Sequence, residues 1–167
     1  MRRFLIVFSA LLAMTVCAGA QERSDRIGTG VGAFYPFSVE VVLFWEHEMS
    51  YHNAFEVFAR GHLKLVGDIP ALWDNYKCWG VGAAWKPCLY RARNRYGSLR
   101  VGASVGAAPT DFLAGIHAGW QQSYALHSGW QFYWSAGVDL MLPRRDDLFR
   151  AGLGIGIKMP VPDRRRY

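Results

Sequence analysis

From Arg150 to Met159 the chain alternates without a break. Ala151, Leu153, Ile155, Ile157 and Met159 fall on one side, and Arg150, Gly152, Gly154, Gly156 and Lys158 on the other. A helix would mix the two sets; a strand separates them. The same period recurs along the chain. Leu99, Val101, Ala103 and Val105 oppose Ser98, Arg100, Gly102 and Ser104; Trp130, Phe132, Trp134, Ala136 and Val138 oppose Gln131, Tyr133, Ser135 and Gly137. Eight strands are predicted, at 26–35, 38–49, 53–65, 76–87, 97–107, 111–124, 129–141 and 149–159. The intervals carry turn residues, among them Pro36, Gly67-Asp68, Asn94, Pro109 and Ser128-Gly129.

The polar face is the unusual one. On a soluble sandwich it would be solvated and rich in Lys, Glu and Thr. Here it is rich in glycine, which weakens an exposed strand. Inside a narrow barrel glycine has a purpose, since eight strands leave only enough room for side chains to fill the lumen. The apolar face carries Leu, Val, Ile and Ala at mid-strand with aromatic residues towards the ends, as a lipid-facing band with girdles does. The predicted fold is therefore all-β, an eight-stranded antiparallel up-and-down transmembrane barrel over residues 21–159.

The flanks agree with export. Arg2 and Arg3, the uncharged stretch Phe4 to Ala18 and the small-x-small end Ala18-Gly19-Ala20 predict a cleaved signal peptide over 1–20. Residues 160–167 form a basic tail. Arg150-x-Gly152-x-x-Ile155-x-Ile157 fits the last-strand signal read by barrel-assembly machinery, although the chain continues past it instead of stopping at an aromatic residue. The predicted location is the outer membrane of a Gram-negative bacterium. Its lipid and the assembly machinery are the expected partners, and both termini face the periplasm.

The formal charge is +6 and charged residues are 19% of the chain, too mild a surplus to indicate a nucleic-acid partner. Direct nucleic-acid binding is not expected. Cys78 and Cys88 lie at opposite ends of one predicted strand, beyond the reach of a disulfide.

A narrower likeness rests on Trp85-Lys86-Pro87-Cys88-Leu89-Tyr90-Arg91-Ala92-Arg93-Asn94, the glycine-alternating strand after it and the closing Ala151-Gly152-Leu153-Gly154-Ile155-Gly156. This combination resembles the conjugal transfer protein TraO family of Bacteroidetes conjugative elements. The resemblance implies an accessory role at the outer membrane during DNA transfer, with other transfer-apparatus proteins as partners and no catalytic motif.

Glu40, Glu46, Glu56 and Asp139 share the inward face with Arg60, Lys64, Lys86, Arg100, Arg150 and Lys158. Signs nearly balance, so a salt-bridge network filling the barrel is expected, with Glu56, Glu46 or Asp139 as partner of Arg100. Arg91, Arg93 and Arg95 form a basic cluster on a periplasmic turn and are the candidate partner surface. No cofactor motif is found. Glu46-His47-Glu48 has metal-binding residue types, but His47 lies on the opposite strand face. A lipid-A acyl-modifying enzyme is the catalytic alternative, with Ser50, Glu48 and His52, or His127 and Ser128, as the groups to consider; a structural or adhesion-type barrel is the other.

Overall fold

The computed structural model describes residues 24–35, 38–64, 77–108, 112–142 and 149–161. The signal peptide predicted over 1–20 and nearly all of the basic tail lie outside this set. Nine strands follow in order: β1 (Ser24–Tyr35), β2 (Ser38–Glu48), β3 (Ala54–Lys64), β4 (Lys77–Lys86), β5 (Cys88–Ala92), β6 (Arg95–Ala107), β7 (Phe112–Ala125), β8 (Gln131–Leu142) and β9 (Phe149–Pro160). Apart from β4 and β5, sequence neighbours pair antiparallel; β1 also pairs with β9, and β4 with β6. The sheet thus closes into an eight-stranded antiparallel barrel, with β5 continuing β4 along the same edge of β6 as a short arm past Pro87.

The arm corrects the expected turn over 88–96. Pro87 has no N–H to give to the ladder, and the register against β6 slips between Cys88 and Tyr90. Asn53 Oδ1 takes the freed Cys88 N–H at 2.9 Å, and Pro87 O accepts from Leu99 N at 3.1 Å. The strand then resumes as far as Ala92, and Arg93-Asn94 turn it back into β6. Cys78 and Cys88 are both free thiols.

Polarity is inverted relative to a soluble domain. Glu46, Glu56, Lys86, His117, Asp139 and Lys158 are buried, whereas Val31, Leu43, Val101, Ile116, Leu153 and Ile155 are exposed on the outer wall. Two aromatic belts flank that apolar wall. Trp45, Trp85, Trp130 and Phe132 lie towards the end carrying the short turns; Tyr35, Trp79, Phe112 and Phe149 lie towards the other. We call these the turn end and the loop end. Among the described residues no helix is long and apolar enough to cross a membrane, which has no bearing on a chain that crosses with strands.

Candidate functional site: the barrel interior

The inward side chains of β3 mark three layers along the barrel axis: Glu56, then Phe58, then Arg60 and His62, all buried. Each belongs to a different cluster. Alternation places them on one face, and the pairing registers decide what meets them.

At the turn end, Glu46 is the hub. Lys158 Nζ bonds its two carboxylate oxygens at 2.9 and 2.8 Å, and Lys86 Nζ bonds it as well. Lys86 also reaches Glu56 at 2.8 Å. Arg26 and His52 both engage Glu48. Arg100 comes from β6 and holds Glu56 Oε1 through Nε at 3.0 Å and NH2 at 2.8 Å. Its partner is thus one of the three carboxylates expected from the sequence. Every buried carboxylate here has two cations, a condition that limits the desolvation cost of burying it.

The middle layer is apolar. Phe44, Phe58, Ala84 and Tyr133 form a buried cluster, with Phe44 and Tyr133 edge-to-face at 5.8 Å. Cations from the charged layers sit over these rings: Arg100 over Phe58 at 4.6 Å and Lys86 over Phe44 at 5.4 Å. β1 and β9, which lie between the strands carrying Phe44 and Tyr133, make room for the rings with glycine. A Cβ on Gly30 would lie 2.2 Å from Tyr133 Oη, and one on Gly156 would lie 2.3 Å from Thr29 O and 2.5 Å from the Tyr133 ring.

Towards the loop end, Arg60 is the hub. Its NH1 donates to Asp139 Oδ2 at 2.7 Å and lies 3.4 Å from Glu40 Oε2. Its NH2 is 3.0 Å from Ser104 Oγ and 2.9 Å from His117 Nε2. His117 Nδ1 lies 2.8 Å from Asp139 Oδ1, and its Nε2 lies 2.8 Å from Ser104 Oγ. Beyond this layer sit Cys78, Leu113 and Met141, with Arg150 NH1 4.0 Å from Cys78 Sγ.

Ser104, His117 and Asp139 therefore form a serine–histidine–carboxylate chain, which the sequence reading did not connect. Alternation alone puts them on one face; only the β6–β7 and β7–β8 registers bring them together. Acyl transfer would need Ser104 Oγ to give its proton to Nε2 and to meet a carbonyl. Arg60 NH2 already occupies both atoms, and the cavity beside Ser104 measures about 10 Å³, room for roughly one water. A larger cavity of about 70 Å³ lies beside the aromatic layer and is lined by Glu40, Glu56, Arg60, Arg100, His117 and Asp139. Its lining draws on both charged clusters.

Glu40, Glu46, Glu56, Arg60, Lys86, Arg100, Asp139, Arg150 and Lys158 all point inward. The side chain of Lys64 lies outside the described residues. Arg91, Arg93 and Arg95 are exposed on the β5–β6 hairpin, where Arg95 lies over the Tyr124 ring at 5.6 Å. His47 is turned away from Glu46 and Glu48 and meets Asp25 at 2.6 Å. The Ser50 side chain is likewise outside the described residues, and His127 and Ser128 are exposed in the β7–β8 turn.

Solved structures share this architecture. Neisserial surface protein A superposes with a TM-score of 0.59 at 10% identity, over 82% of this chain and 94% of that one. The outer membrane protein Ail of Yersinia pestis, determined in a phospholipid bilayer nanodisc, gives 0.55 at 12% identity, over 84% and 100%. A de novo designed transmembrane β-barrel gives 0.52 at 14% identity, over 83% and 95%. At such identities the likeness is one of fold. No protein-family model matches the chain, and no curated protein matches it in sequence.

Proposed function

We propose that this chain is an integral outer-membrane barrel that catalyses no reaction and serves as an accessory component of a conjugative DNA-transfer apparatus. The observation that carries the membrane reading is the inverted polarity of a closed barrel. Charged residues fill the lumen, and Leu, Val and Ile cover the outside between two aromatic belts. Water would not tolerate such an exterior on a monomer. The fold shared with outer-membrane proteins supports the same reading. With an even number of barrel strands the termini share one side, which we take as periplasmic. The β5–β6 hairpin then projects Arg91, Arg93 and Arg95 into the periplasm.

The transfer role rests on the likeness of the 85–94 segment and the closing glycine alternation to the TraO family. The absence of catalysis is supported by the hold of Arg60 on both Ser104 and His117. Two experiments test these parts separately. The refolded chain should run at different gel positions before and after boiling, as a detergent-resistant barrel does; a water-soluble monomer contradicts the membrane reading. Deleting the gene from a donor should lower mating frequency and leave lipid-A acylation unchanged by mass spectrometry. Unchanged mating removes the transfer role, and altered acylation establishes the enzymatic alternative.

A further inference from the structure

Three strands bring donor groups to one point in the loop-end cluster. β2 supplies Glu40, β3 supplies His62 directly opposite it in register, and β8 supplies Asp139 from another part of the wall. One carboxylate oxygen from each acid and one His62 nitrogen lie within 4.8 Å of one another. Tetrahedral coordination at ~2.1 Å places donors about 3.4 Å apart, so a small inward movement suffices.

His62 is the second, independent observation. It is only 5% exposed. Its Nε2 lies 2.8 Å from Glu40 Oε2, and Nδ1 meets no hydrogen-bond partner among the described residues. A buried ring nitrogen with no hydrogen bond, as Nδ1 is, is unfavourable. Phe34 packs edge-to-face on the ring at 5.8 Å. Asp139 is steadied from behind by His117 Nδ1, the kind of outer support that orients a ligating carboxylate.

We propose that Glu40, His62 and Asp139 form a binding site for one divalent transition-metal ion of the zinc class. Two carboxylate oxygens and an imidazole nitrogen are a donor set that such ions accept. Arg60 NH1 now bridges the two carboxylates. Its NH2 is held separately by Ser104 and His117, so an entering ion displaces one guanidinium nitrogen and leaves the side chain anchored. That competition makes the site weaker than a dedicated structural zinc site.

The test uses the tag-free chain, refolded in detergent and freed of metal, titrated with Zn²⁺ by calorimetry and with Co²⁺ by visible absorption. One ion per chain should bind, Co²⁺ should give the intense d–d bands of a four-coordinate site, and Zn²⁺ should raise the urea midpoint. His62→Gln and Glu40→Gln should each weaken binding about 100-fold or more, while His47→Gln, away from the cluster, should leave it unchanged. Gel heat-modifiability confirms that each variant is folded. No uptake by the folded wild type overturns the proposal, as does equal uptake by folded His62→Gln. Should His62→Gln not fold, the wild-type titration and its urea midpoint decide.

Discussion

At the scale of single residues, the interior stands on charges that share partners. Arg60 serves Asp139 and Glu40 together, so Arg60→Met should leave two carboxylates short of a cation and destabilise the barrel by about 3–5 kcal/mol. Arg100→Leu should cost less, because Lys86 remains 2.8 Å from Glu56. Urea titration in detergent ranks the two; an Arg100→Leu loss equal to that of Arg60→Met would contradict the shared pairing. The glycine wall gives a second contrast. Gly156→Ala forces a Cβ against the Thr29 carbonyl and the Tyr133 ring and should cost about 1–3 kcal/mol. A Cβ on Gly61 meets nothing within 4 Å, so Gly61→Ala should be near neutral in the same titration.

At the scale of elements, period-two alternation was enough to find all eight barrel strands, with no boundary moving by more than two residues. It also fixed which side chains face inward, since alternation leaves only two choices. It missed β5 because Pro87 interrupts the pattern, and a strand of five residues resuming after a bulge is too short to show a period of its own. The salt-bridge partners were only partly legible. Arg100 could be given three candidate carboxylates, but choosing Glu56 needs the register of strands that are not sequence neighbours. The aromatic layer of Phe44, Phe58 and Tyr133 was not anticipated; a large ring on a glycine-rich face is the signal that could have revealed it. The β2–β3 turn adds a prediction of its own. Tyr51 and His52 both hold the left-handed conformation, at φ 60° and 61°. Tyr51 is 83% exposed, so Tyr51→Gly removes the steric cost with little lost packing and should stabilise the barrel by about 1 kcal/mol, measurable as a raised urea midpoint.

For the whole molecule, the central claim is that the outer wall faces lipid. Leu99→Arg, between inward Ser98 and Arg100, should cost about 2–4 kcal/mol if Leu99 meets the bilayer near its midplane. Folding into phosphatidylcholine vesicles followed by urea titration checks it, and a harmless Leu99→Arg would mean an exterior exposed to water. The most direct measurement labels single cysteines with a nitroxide at Leu99, Val101, Ala103 and Val105, with Cys78 and Cys88 replaced and the chain reconstituted in vesicles. Relaxation by oxygen, which concentrates in lipid, is compared with relaxation by a water-soluble nickel chelate. A lipid-facing wall gives strong oxygen and weak nickel access at all four positions, deepest in character near the centre of β6. Strong nickel access at these positions, on a chain that stays monomeric without detergent or lipid, would contradict it.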